Sequence, residues 1–332
     1  REYAALTTFQ NQIQAEREPN DPPTPLDENI RGWQNLPPLL EVRCWAIWDE
    51  AGEAIIAQCW ADFFRTAENQ HALDFVIEVA PERRQRGLAT RLLAPVAEFA
   101  QQEGRRLLLT FTNDRVPGDA FMQRLGAERG LETHTNQLLA NEVNRELVDL
   151  WLRRAPERAS GFEIGFWDGP YPEEELEAIA RLQGVMNTAP RGSLDIEDHV
   201  TTPEHLRQWE QTMAAEGTER WSVYARERAT GAFAGFSEVF YHPNRPEHLW
   251  QGNTGVFPHF RNYGLGRWLK AAMIDRVLRE RPQVHFIRTG NADSNAPMLK
   301  INYELGFKPY MSWTIWQVDL PKVQTYIQQH EE

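Results

Sequence analysis

Val256-Phe257-Pro258-His259-Phe260-Arg261-Asn262-Tyr263-Gly264-Leu265-Gly266 has a forerunner in the same chain, Val79-Ala80-Pro81-Glu82-Arg83-Arg84-Gln85-Arg86-Gly87-Leu88-Ala89. Both spell V-x-P-x-x-R-x-x-G-L-[A/G]. Val79 and Val256, Pro81 and Pro258, Arg84 and Arg261, and Gly87 and Gly264 are each 177 residues apart. Each copy follows a strand-like run and opens an amphipathic pattern of helical period. Glycine permits a tight turn and a close approach of the backbone to a ligand. A helix N-terminus then aims free N–H groups at negative charge. The stretch reads as an anion cradle carried twice.

That stretch resembles the acetyl-coenzyme A loop of the GNAT acetyltransferases, [Q/R]-x-x-G-x-[G/A], met here by Arg84-x-x-Gly87-x-Ala89 and Arg261-x-x-Gly264-x-Gly266. The resemblance extends over most of both halves. It implies an α/β chain of two tandem GNAT folds, each a mixed, splayed β-sheet flanked by helices. The N-terminal fold is expected at 1–159 and the C-terminal fold at 160–332.

Composition agrees with two domains. The chain has 332 residues, 41% of them hydrophobic, enough for two cores. No run of eighteen apolar residues occurs and the N-terminus is polar, so the expectation is a cytoplasmic protein with no membrane partner. Cys44 and Cys59 lack metal-type spacing and a disulfide framework, so no metal is expected and both read as buried thiols. A formal charge of −13 speaks against nucleic acid and suits a cationic acceptor such as an amine. The local exception is Arg83, Arg84, Arg86 and Arg91 around the first loop. A monomer or a homodimer is expected.

Along the chain, 3–18 reads as a helix, followed by a proline-rich loop and a short helix at 27–33. A GNAT normally opens with a strand before its first helix. The first half starts at the helix, so either its opening strand preceded Arg1, the preferred expectation, or the half is degenerate at its edge. Strands at 41–49 and 54–65 flank a turn at Ala51-Gly52. A strand at 71–79 feeds the first loop, and the helix 88–103 behind it should kink or unwind at Pro95. A strand at 106–112, a short helix at 119–125 and a strand at 131–139 close the half. A connecting helix, 144–154, should end at Ala155-Pro156. The second half repeats the order. It has strands at 162–166, 220–227, 232–241, 250–257, 284–289 and 308–318, and helices at 172–186, 203–215, 265–280 and 295–305. A surface helix is expected at 322–329.

The resemblance distributes roles. Loop residues Arg84, Gln85, Arg86, Gly87, Leu88 and Ala89, and Arg261, Asn262, Tyr263, Gly264, Leu265 and Gly266, would hold the pyrophosphate of coenzyme A. The backbone from Ile77 to Val79, and Thr254, Gly255 and Val256, would pair with the pantetheine arm. Pro81 and Pro258 lack an N–H, a physical reason for strand pairing to stop beside them. Asn291 and Asn295 belong to a block, Thr289 to Phe307, that resembles the catalytic half of the mycothiol-synthase-like tandem group. Asn295 is also a good helix N-cap. The matching block of the first half, Thr112 to Ala127, is more eroded. Chemistry is therefore expected in the second half, with the first degenerate or binding cofactor only.

Acetyl transfer needs an amine at the thioester carbon, a donor for the oxyanion and a proton for the leaving thiolate. The position of the family's usual tyrosine acid is Asn302 here, and Met122 in the first half. Tyr303 is one residue off, about 100° round the helix. Glu238 is the candidate base and Tyr303 the candidate acid. His259 and Glu78 stand behind them. Three functions stay open: an acetyl-coenzyme A-dependent N-acetyltransferase acting on the primary amine of a small molecule, an acyl-coenzyme A-binding or sensing module with weak turnover, and a transferase of another acyl group or onto a protein amine. The acceptor pocket is expected from 184–202 and 240–250.

Overall fold

The computed structural model describes residues 1–330. The chain forms two compact bodies, and neither is continuous in sequence. The first comprises 1–132, 191–197 and the residues from 312 on. The second comprises 133–190 and 198–311.

The first body opens with α1 (Glu2–Arg17) and α2 (Leu26–Gln34). It continues through β1 (Leu40–Trp48), β2 (Ile55–Phe64), β3 (Ala72–Val79), α3 (Leu88–Gln102), β4 (Leu107–Asn113) and α4 (Asp119–Arg124). β5 (Glu128–Leu139) leaves it at Thr133. The second body then builds α5 (Arg145–Arg158), β6 (Phe162–Asp168), α6 (Leu176–Gln183), α7 (Pro203–Glu216), β7 (Glu219–Glu227), β8 (Phe233–Tyr241), β9 (His248–Val256), α8 (Leu265–Glu280), β10 (Phe286–Ala292) and α9 (Ala296–Leu305). β11 (Lys308–Asp319) returns to the first body at Ser312, and α10 (Leu320–His330) follows.

The strand order in the first body is β1-β2-β3-β4-β11, and in the second β5-β10-β9-β8-β7-β6. Thus β11 pairs antiparallel with β4, Trp313 opposite Asn113, and β5 pairs antiparallel with β10, Leu139 opposite Phe286. Each sheet is completed by the closing strand of the other half of the chain. The sequence suggested instead that each half closes its own sheet, with a division at 159/160. Two similar strands satisfy the same ladder equally well, so periodicity cannot tell which one pairs.

Four smaller expectations change. α3 runs unbroken through Pro95, and α5 runs past Pro156 to Arg158. The tail helix is not a surface element. Leu320, Val323, Tyr326 and Ile327 of α10 join Leu92, Leu93, Val96 and Phe99 of α3 in the first core, each apolar side chain contributing on the order of 1.5–3 kcal/mol on full burial. Cys44 is exposed on the edge strand β1, and only Cys59 is buried. The second core gathers around α8, which is buried on nearly every side: Leu265, Trp268 to Ile274, and Val277.

Candidate active site

The two loops fold alike. Pro81–Arg83 and Pro258–Phe260 each make one 3-10 turn. Gln85 and Asn262 then adopt left-handed backbone, φ 60° and 71°. Gly87 and Gly264 do so again, φ 76° and 86°, as N-caps of α3 and α8. Left-handed residues alternating with ordinary ones turn successive N–H groups to one side, the geometry of an anion nest. Among the described residues, the backbone N–H groups of Gln85–Ala89 and Asn262–Gly266 find no protein acceptor. A Cβ on Gly87 would meet nothing within 4 Å. Both loops therefore fit a diphosphate held by amides.

Arg84 and Arg261 have another task. Arg84 Nε donates to the Val79 carbonyl at 3.1 Å, and its guanidinium forks onto the Glu16 carboxylate. Arg261 Nε donates to the Val256 carbonyl at 3.0 Å and Nη2 to Thr188 Oγ1 at 2.8 Å. Their side chains brace the turn against the strand end. The second loop borrows a cation instead. The Arg158 side chain lies 3.2 Å from where a Gly264 Cβ would stand, and Arg158 Nη2 donates to the Asn262 carbonyl at 3.2 Å.

Each feeding strand parts from its parallel neighbour. β3 pairs with β4 only from Ala72 to Asp74, and β9 with β10 only from His248 to Trp250. Pairing ends well before Pro81 and Pro258, so the prolines do not cause the splay. Beyond it, Ile77 and Val79 keep only β2, and Thr254, Gly255 and Val256 only β8. Their other edges offer main-chain groups to a ligand. The bodies differ in one respect. The β8–β9 register shifts between Ser237 and Val239, placing an extra β9 residue opposite Glu238, whereas β2–β3 is regular. A bulge of this kind adds twist and re-aims side chains.

Glu238 sits at that bulge, 5% exposed. Its Oε1 accepts from the Asn253 N–H at 3.3 Å, and burial pushes its carboxyl up to about 7. A Cβ on Gly252 would lie 2.6 Å from Phe240 Cε2 and 3.2 Å from Glu238 Cγ, so glycine keeps the bulge uncrowded. Tyr303 is 48% exposed, while its neighbour Asn302 is fully buried. The acid role expected of Tyr303 is therefore unsupported, because α9 turns it away from the face that Asn302 occupies. Asn302 Nδ2 donates to Asn291 Oδ1 at 2.7 Å. Asn295 is the N-cap residue of α9 but its side chain makes no capping bond, which leaves its amide available. Glu78 is taken by Gln58 Nε2 at 2.6 Å and Arg17 at 3.7 Å. Part of the expected pocket belongs elsewhere, since 191–197 is tied to the first body, with His71 on the Asp195 carbonyl at 2.8 Å.

Duplicated loop, duplicated splay and sheet order now decide the architecture. The protein carries two GNAT folds in tandem. Residues 7–127 match the family model described as Acetyltransferase (GNAT) family. Similar solved structures include a tandem GNAT protein from the clavulanic acid biosynthesis pathway, without acetyl-coenzyme A, at TM-score 0.75 and 23% identity over 95% of this chain and 94% of that one. A GCN5-related N-acetyltransferase from Sphaerobacter thermophilus aligns at TM-score 0.64 and 15% identity over 95% and 92% of the two chains. A fungal glucosamine N-acetyltransferase region of a multi-domain GH3 β-N-acetylglucosaminidase aligns at 0.63 and 14% over 96% and 37%. No curated protein matches by sequence. The family match falls on the half of the chain whose motifs look more eroded. Among the described residues, no helix is long and apolar enough to cross a membrane.

Sequence reasoning missed Arg158, the bulge and Lys270. Lys270 was the most findable. It is a lone cation inside the apolar run Trp268–Ile274 of a helix, where a charge has no business unless it has partners.

Proposed function

We propose that the chain is an acetyl-coenzyme A-dependent N-acetyltransferase whose second body transfers acetyl to the primary amine of a small molecule. One observation carries it: a splayed strand pair leads into a nest of free N–H groups, with a buried carboxylate at the bulge between. Acetyl-coenzyme A supplies the thioester, whose C–S bond is exchanged for a C–N bond. Backbone amides of Asn262–Gly266 hold its pyrophosphate, and the free edge of Thr254–Val256 aligns its arm. Glu238 takes the proton that the amine loses, its raised pKa suiting it to proton transfer near neutrality. The negative charge of the chain favours a cationic acceptor.

The first body supports cofactor binding without turnover. It has the cradle and the splay, but lacks the bulge and has Met122 where the second has Asn302. Calorimetry with acetyl-coenzyme A, alongside thiol release across a panel of small amines, tests the proposal. Binding with thiol release for some amine supports it. Binding without release for any acceptor, peptide amines included, supports the sensing module, and no binding ends the proposal.

A further inference from the structure

Six polar side chains make an unbroken hydrogen-bonded line through the second body. Thr254 Oγ1 and Ser237 Oγ are 2.7 Å apart, and Gln251 Nε2 donates to Ser237 Oγ at 3.2 Å. Lys270 Nζ donates to Gln251 Oε1 at 2.9 Å and to Asn302 Oδ1 at 2.7 Å. Asn302 Nδ2 donates to Asn291 Oδ1 at 2.7 Å. The middle of the line, Ser237, Gln251, Lys270 and Asn302, is sealed from solvent. Its ends, Thr254 and Asn291, are half-buried on β9 and β10, the strands that part.

The first body packs the corresponding places with apolar side chains. Phe75 is the first residue past the parallel pairing, as Gln251 is. Leu93 lies 177 residues before Lys270, and Met122 precedes Gly126 as Asn302 precedes Gly306. All three are buried. The fold therefore closes without this line, and burying an amine with no carboxylate beside it costs stability. The line calls for a use other than packing.

Its direction follows from lysine chemistry. As an ammonium the amine only donates, so Gln251 and Asn302 turn oxygen towards Lys270 and NH2 away. Gln251 then donates to Ser237, whose buried hydrogen has Thr254 Oγ1 as its acceptor. Asn302 donates to Asn291 Oδ1, which leaves Asn291 Nδ2 unspent. Every donor points from the lysine towards the gap.

We propose that Lys270 is a positioning residue. It sets the polarity of this line so that Asn291 Nδ2–H and the Thr254 hydroxyl face the gap between β9 and β10 as donors to the carbonyl oxygen of an acyl thioester. This rests on the acyltransferase function proposed above.

Acetyl-coenzyme A labelled with carbon-13 at the carbonyl, bound to the full-length protein, gives the test by difference infrared spectroscopy. Hydrogen bonds to the oxygen lower its stretching frequency. Asn302→Asp keeps an acceptor for Lys270 but accepts on its other oxygen too, so Asn291 must reverse its amide and present oxygen to the gap. The expected result is a carbonyl frequency higher than in wild type, with affinity for acetyl-coenzyme A lowered roughly tenfold, the scale of one hydrogen bond. Affinity for coenzyme A, which has no acetyl carbonyl, stays unchanged. If Asn302→Asp does not fold, Asn291→Asp exchanges donor for acceptor at the outer end and must raise the frequency likewise. An equal frequency in wild type and variant overturns the role of Lys270 and leaves acyl transfer standing. A wild-type protein that does not bind acetyl-coenzyme A ends both.

Discussion

Asn262 repeats the left-handed backbone of Gln85 from 177 residues earlier, with φ of 71° against 60°. Outside glycine this conformation costs roughly 1–2 kcal/mol, and asparagine tolerates it better than glutamine. A strained residue at the same point of both loops, two before a left-handed glycine, is what a nest of amides requires. Gln85→Gly is therefore expected to stabilise the protein by about 1 kcal/mol, and Asn262→Gly by only a few tenths. Urea denaturation of the two variants checks the difference. Equal effects would mean that the loop geometry is not the source of strain.

Gly264 has φ 86° and Gly87 φ 76°, and neither can be proline, whose ring holds φ near −65°. Gly264→Pro should abolish cofactor-dependent thiol release and one calorimetric binding event. Gly87→Pro should leave thiol release within about twofold, since the chemistry is assigned to the second body. Circular dichroism confirms that each variant is folded. Thiol release lost in Gly87→Pro and kept in Gly264→Pro would move the active site to the first body.

Glu238 ionises only as pH rises through about 7, because burial favours its neutral form. A general base works when ionised, so kcat/KM should climb below that pH and level above it. Glu238→Gln should remove this limb and lower the plateau by about 10²–10⁴-fold. A variant that keeps the limb would assign it to another group.

The cradles were legible because left-handed turns demand glycine, and glycine leaves its mark in sequence at a fixed spacing. The splay was legible only by resemblance, and the cause offered for it failed. Parallel pairing stops at Asp74 and Trp250, far from the prolines, and it is the antiparallel ladders that end beside them, at Val79 and Val256. Strand exchange was not legible at all, since β5 and β11 present like patterns to like edges. Tyr303 illustrates the limit at the site. One residue of offset on a helix is a change of face, and only coordinates show that Asn302 holds the inner one.

Arg158 reaches the second cradle from the end of α5, over a hundred positions away in sequence. Its cation stands beside the N–H groups assigned to the pyrophosphate, with no carboxylate partner in the ion pairs of the described residues. Arg158→Ala should weaken acetyl-coenzyme A binding at this body about tenfold, the scale of a charge-assisted hydrogen bond, and flatten its salt dependence. Calorimetry at two ionic strengths reads both. An unchanged affinity at low salt would show that the arginine only packs on Gly264.

Lys270 is 1% exposed, and burial pushes its amine down to about 7 from a usual 10.5. Between those values the unfolded chain holds a proton there that the folded chain has released. Stability must therefore rise with pH from about 7 to 10.5, since the unfolded state binds more protons throughout that window. Below 7 both states are charged and the full burden of the buried charge is present. Other titrating groups add slopes of their own, so the comparison is with Lys270→Met, which lacks this one. Denaturant midpoints across the window should show wild type gaining on the variant as pH rises. Parallel curves would mean that Lys270 keeps its proton in the fold, held more strongly by Gln251 and Asn302 than burial disfavours it.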